Sequence, residues 1–145
     1  MEKRSIVVRG TPTVNEVGTA SEAIKPGYLV KGVSTIAKQT ATTTGQPPCA
    51  FALERDELGR GIDDTYRGSA DAAAYASGDV VKVGVFKKGE QLVAYVASGE
   101  NITEDDQLES AGDGTLSEGT TKPIARALET LGAVTVETAL LVEIL

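Results

Sequence analysis

Pro48-Cys49-Ala50-Phe51-Ala52-Leu53-Glu54 returns, 75 residues later, as Pro123-Ile124-Ala125-Arg126-Ala127-Leu128-Glu129. Pro, both alanines, Leu and Glu are kept. Small residues alternating with larger ones suit a strand whose neighbours approach closely, as in a narrow barrel. The flanks repeat as well. Upstream, Ile24-Lys25-Pro26-Gly27-Tyr28-Leu29 is echoed by Ile102 to Leu108 with one residue inserted, and downstream come the apolar runs Val80–Phe86 and Leu140–Leu145. Two similar halves that complete one small β-barrel about a pseudo-twofold are the simplest reading. The expectation is an all-β, mainly β fold. It has an N-terminal arm over residues 1–20, a single β domain over 21–145, and at most one short helix.

Composition agrees with strands. Of 145 residues only 4% are aromatic, Trp is absent and Gly reaches 16, so Val, Leu, Ile and Ala must fill the core between tight turns. Val80 to Phe86 and Leu92 to Val96 flank the polar Lys87-Lys88-Gly89-Glu90 and predict a hairpin. Both faces of that ribbon are apolar, which predicts an oligomer interface through Val81, Val83, Val85 and Tyr95. A second hairpin is expected between Leu108 and Leu116, and a core strand at the C-terminus. The only helix candidate is Ser69 to Ala76.

The same arithmetic excludes much chemistry. There is no His and one Cys, so a His base, a Cys–His pair, an intrachain disulfide and an ordinary zinc site are ruled out. The 14 basic against 21 acidic residues, net −7, argue against nucleic acid as partner. No apolar run reaches the eighteen or so residues of a membrane span, and no signal-peptide pattern opens the chain. Glu100 to Glu118 holds seven carboxylates but lacks calcium-loop spacing, so it reads as a solvated face. Asp63-Asp64 and Asp105-Asp106 are adjacent on the chain and do not converge. Cys49 among Ala50, Phe51 and Ala52 reads as a small buried hydrophobe. No cofactor, metal or catalytic set is expected, and no enzyme.

The first nine residues carry +2 and the remainder −9. Ile6-Val7-Val8 is β-prone and lies between Lys3, Arg4 and Arg9. It reads either as a first strand paired within the domain or frayed beside it, or as an arm that adds a strand to a partner's sheet edge.

The motifs Ile-x-Pro-Gly-x-Leu-Val, Pro-x-Ala-x-Ala-Leu-Glu, Gly78-Asp79-Val80-Val81-Lys82-Val83 and Ala97-Ser98-Gly99-Glu100-Asn101-Ile102-Thr103 together resemble the head decoration (cement) proteins of tailed bacteriophages. Asp113-Gly114-Thr115-Leu116 and the closing Leu-Val-Glu-Ile-Leu fit as well. The resemblance covers most of Ile24 to Leu145. It implies a β-barrel or β-tulip body, a homotrimer made in the host cytoplasm and placed on the outer capsid surface of the virion, and the major capsid protein as partner. Under it, Lys3, Arg4, Ile6, Val7, Val8 and Arg9 become the candidate capsid contacts. The rivals are a head fibre or receptor-binding virion protein and a biotinyl-like carrier modified at Lys88.

Overall fold

A computed structural model describes residues 6–42, 49–54 and 74–145. All regular structure among them is strand. The strands are β1 (Val7–Arg9), β2 (Thr13–Ala20), β3 (Val30–Lys31), β4 (Thr35–Lys38), β5 (Ala50–Ala52) and β6 (Val80–Val85). They continue with β7 (Gln91–Val96), β8 (Asn101–Ile102), β9 (Gln107–Ser110), β10 (Leu116–Glu118), β11 (Ala125–Ala127), β12 (Gly132–Ala133) and β13 (Thr138–Ile144). Alternation sets the inner face of β13: Leu140, Val142 and Ile144 sit against Ala94, Leu92 and Ala125, all at most 3% exposed.

The repeat is a duplication of a whole barrel. In the second half β7, β10, β9, β11 and β13 are hydrogen-bonded in that order, and β13 returns to β7, closing a five-stranded barrel. In the first half the order β4, β2, β6, β5 with β3 beyond β4 is the same, with β3 standing for β9. The ring is completed there by the antiparallel bridge Leu29–Phe51 and the bonds from Gly27 N–H to Ala52 O and from Ala52 N–H to Tyr28 O. Register matches residue by residue. Ala50–Val85, Phe51–Gly84 and Ala52–Val83 correspond to Ala125–Ile144, Arg126–Glu143 and Ala127–Val142. The parallel contact Ala20–Ile36 corresponds to Val96–Leu116, and Val30–Lys38 to Leu108–Glu118. The expectation of two halves completing one barrel is therefore corrected. Five short strands with small alanines inside suffice to close a ring, so each half closes its own.

The turn before each repeat shows why one position differs. Gly27 and Asp105 both donate to the second Ala of their repeat, and both have positive φ, 98° and 75°. A Cβ on Gly27 would lie 3.2 Å from the Tyr95 ring and from Val93 O, so the buried copy needs Gly while the exposed copy tolerates Asp.

The barrels join by unlike faces. On the outside of β5–β6, Phe51 lies beside Gly84, whose missing side chain leaves room for Leu53. Phe51, Leu53, Phe86 and Leu29 belong to one buried cluster with Ile6 and the second barrel's interior, and Phe51 meets Phe86 edge to face at 5.7 Å. The corresponding outer face of β11–β13 carries Arg126 paired with Glu143 at 3.1 Å and with Asp105 at 2.6 Å.

Four expectations change with this architecture. Residues 6–20 of the arm do not stand apart, residues 1–5 lying outside the described ones: β1 pairs antiparallel with β7, Ile6 is 1% exposed, and β2 is a full strand of the first barrel. The apolar Ile6-Val7 pair finds its partner edge within the chain. β6 and β7 do not form a hairpin, because β6 pairs with β2 and β5 and β7 with β13, β10 and β1. Lys87–Glu90 instead links the barrels, stapled by Glu90 accepting the N–H groups of Lys87 and Thr11. Val81 and Val83 are 0% and 5% exposed inside the first barrel, Val85 is half-buried there, and Tyr95 is 5% exposed against Tyr28 between the barrels. Their two-faced pattern reflects a barrel interior plus an inter-barrel seam, so Val81, Val83 and Tyr95 are not left for a second copy, and Val85 lines an open cavity. Of the helix candidate, Ala74–Ala76 is extended, with Tyr75 bridged to Ile24, and the rest lies outside the described residues. The second hairpin, β9–β10, and the C-terminal core strand β13 form as expected.

Candidate functional site

Although built on one plan, the barrels are filled differently. Inside the second, Leu92, Ala94, Leu108, Leu140 and Ile144 are at most 3% exposed and close the interior. Their counterparts by register are Asn15, Gly18, Val30, Val81 and Val85. Each is smaller or polar, and four of the five replacements remove one methylene. The result is a cavity of about 160 Å³ opening at this end of the first barrel. Ile36, Ala50 and Val83 complete its walls, and the turn Lys31-Gly32-Val33 forms its rim. Val33 is 75% exposed, and Val14 and Val17, on the same strand as Asn15, are 45% and 72% exposed.

A β-bulge shapes the opening. Asn15 faces Val83 while Gly18 faces Val81, so β2 carries one extra residue there. Gly18 is required beyond the bulge, because a Cβ would run into the Val33 carbonyl and the Ile36 side chain. The mouth is thus held open by backbone geometry as well as by small side chains.

The polar groups serve the fold. Tyr28 donates its hydroxyl to the Glu137 carboxylate at 2.7–2.8 Å, and Lys25 reaches Glu137 at 3.0 Å. Burial first, then the hydrogen bond and charge of Glu137, hold the phenol far above its ordinary range. A neutral, donating Tyr28 is a latch between barrels and not a nucleophile. Glu129 and Glu54, the last residues of the two repeats, accept backbone N–H groups from Leu141 and Ile6. Asp106, Asp113 and Glu109 likewise accept the N–H groups of Thr103, Thr115 and Lys122. The acidic stretch is a set of turn caps, and among the described residues no three metal-binding side chains converge. The hydrogen bond from Arg126 pulls the Glu143 carboxyl below its usual range. Burial pushes the half-buried Cys49 thiol up, away from the reactive thiolate.

Of the candidate capsid contacts, Lys3 and Arg4 lie outside the described residues, as do Asp63 and Asp64. Ile6 and Val7 are committed to the core cluster, whereas Val8, 51% exposed, and Arg9 face outward. Lys87 and Lys88 are exposed on the link between barrels and not at a hairpin tip. The cavity itself escaped the sequence reading. Only the register that aligns Asn15 with Leu92 reveals it, and those two side chains share no chemistry. No family model matches the chain, and no curated protein matches it either.

Proposed function

We propose that the chain is a capsid decoration protein. It binds the outer surface of a phage head, bridges major capsid subunits as a homotrimer, and works without catalytic turnover. The observation that carries this reading is the tandem barrel with one mouth open. Glu54, Glu90, Asp106, Asp113 and Glu129 cap backbone N–H groups and Tyr28 latches onto Glu137, while an apolar cavity remains open beside Thr13–Val17, an edge that no strand among the described residues covers. The cement-protein motifs quoted above point the same way. A ligand that binds only the assembled shell stabilises it by its binding free energy, and many symmetric copies multiply a modest term. Because Val81, Val83 and Tyr95 are buried within the chain, the trimer contacts of this reading fall on other surfaces.

The test is co-sedimentation of the purified protein with expanded, emptied heads, followed by thermal rupture of the decorated particles. Saturable binding at a fixed ratio to the major capsid protein, with a higher rupture temperature, is expected. Binding to host cells with no effect on the heads would favour a receptor-binding role and overturn the proposal. Sedimentation of the free protein, and microscopy of decorated heads, checks the trimer.

A further inference from the structure

The two barrels share a strand slot that one of them fills. In the second, β7 is paired along one edge by β13 and along the other by β10 at Val96 and by β1 at Leu92 and Gln91. In the first, β2 is paired along one edge by β6 and along the other by β4, at Thr19 and Ala20 alone. Among the described residues no strand lies on that edge of Thr13 to Val17. The filled slot shows what fits. β1 runs antiparallel to β7, Val93 N–H donates to Ile6 O at 2.8 Å, and Val7, opposite Leu92 in register, packs against the same cluster as Leu92. The counterpart of Leu92 is Asn15, which lines the open cavity.

We infer that the edge of Thr13–Val17 and the cavity beside it form a docking groove for an extended strand of a partner protein. The strand pairs antiparallel with β2 and seats a branched aliphatic side chain in the barrel mouth. Main-chain bonds to an exposed edge give affinity, and a pocket at one position gives specificity. A cavity of about 160 Å³ matches the roughly 150 Å³ of an apolar site that holds one benzene-sized group. An unpaired edge is ordinarily blunted by Lys, Pro, a bulge or a covering loop; Thr13-Val14-Asn15-Glu16-Val17 has neither Lys nor Pro, and the bulge and Glu16 leave Thr13 to Asn15 in regular register with β6.

The chain's own aliphatic runs are already used. Its runs of three successive Val, Ile or Leu residues are Ile6–Val8 and Leu140–Val142, and both are engaged in the second barrel. The partner therefore supplies its own β-branched strand. Basic flanks suit it, because the chain carries −7 and Glu16 lies on the edge itself. The inference deepens the proposed function, on which its capsid partner rests, while the groove itself rests on the symmetry of the two barrels.

The probe is a peptide with the sequence of Lys3–Gly10, titrated into the full-length protein and followed by amide NMR. Saturable shifts confined to Val14–Gly18, Val30–Val33 and Val81–Val85 are expected. Filling the mouth with the second barrel's residues, Val30→Leu with Val85→Ile, weakens binding by roughly tenfold or more. The peptide with Ile6 and Val7 replaced by Ser shows no saturation. Absence of saturation at millimolar peptide, shifts centred on β7, or equal affinity in the filled variant would overturn the groove. So would concentration-dependent dimers that bury the same residues without peptide. No capsid enters this assay, so protein that takes the peptide but ignores heads refutes the capsid reading and leaves the groove standing.

Discussion

Leu92→Asn installs in the filled barrel the residue found at the open one. Leu92 is 0% exposed, paired with Val142 on one side and Val7 on the other. Truncating such a leucine to alanine costs about 2.7–5 kcal/mol once the residual cavity is included. Asn keeps some of that volume but buries an amide without a partner, which adds roughly 1–3 kcal/mol. The expected loss is about 4–6 kcal/mol, a large part of the 5–15 kcal/mol that stabilises a typical domain. At roughly 2–4 °C per kcal/mol for a chain near this length, Tm falls by roughly 10–20 °C. The reciprocal Asn15→Leu puts an apolar side chain into existing space and leaves Tm unchanged or higher. Urea and thermal melts followed by far-UV circular dichroism measure both. A loss under about 1 kcal/mol for Leu92→Asn, or equal losses for the two swaps, would refute the claim that the barrels differ in filling.

Further expectations follow from the same contacts. Deleting residues 1–9 removes the buried Ile6 and uncovers the edge of β7, so it destabilises the body by at least about 1.5–3 kcal/mol from Ile6 alone; unchanged urea melts would count against β1 as a core strand. Tyr28→Phe deletes a hydrogen bond to a charged group and costs roughly 1.5–3 kcal/mol near neutral pH. The folded phenol's pKa lies above its ordinary 10.0, so the stability it confers is complete below that value and lost as pH rises past it. Alkaline melts of wild type should therefore fall more steeply than those of Tyr28→Phe, and parallel curves would argue against the latch. Arg126→Phe with Glu143→Gly gives the second barrel the outer face of the first. Concentration-dependent oligomers in sedimentation velocity are expected, and a strictly unchanged distribution would show that this face does not govern association.

The duplication is legible because Ala-x-Ala positions tolerate little change: Ala52, Ala125 and Ala127 are fully buried where strands crowd at the barrel wall. How the copies assemble is not legible there. Apolar strands around a polar Gly-containing link look alike whether they pair with each other or lead into separate rings. Phe86 and Leu92 enter one core from two barrels, which sequence alternation cannot distinguish from a hairpin. The β-prone Ile6–Val8 was recognisable as an edge strand, but its partner was 85 positions away and carried no local signal. The open mouth was hidden more deeply, since it consists of one methylene absent from each of four scattered positions and an Asn at a fifth.

The path of the chain has a consequence for its synthesis. It begins in the second barrel with β1, builds the whole first barrel from β2 to β6, and only then returns. On a ribosome adding roughly 5–20 residues per second, Leu92 follows Val7 by roughly 4–17 s. The first barrel's strands are all available within that interval, while Ile6-Val7-Val8 still lacks the edge it will cover. β1, made before the barrel it joins, is thus among the last of the described strands to be locked. Its docking on β7 fastens the nascent tandem shut, and a pause in translation before Gln91 prolongs the time its apolar residues stand exposed to chaperones and to neighbouring chains.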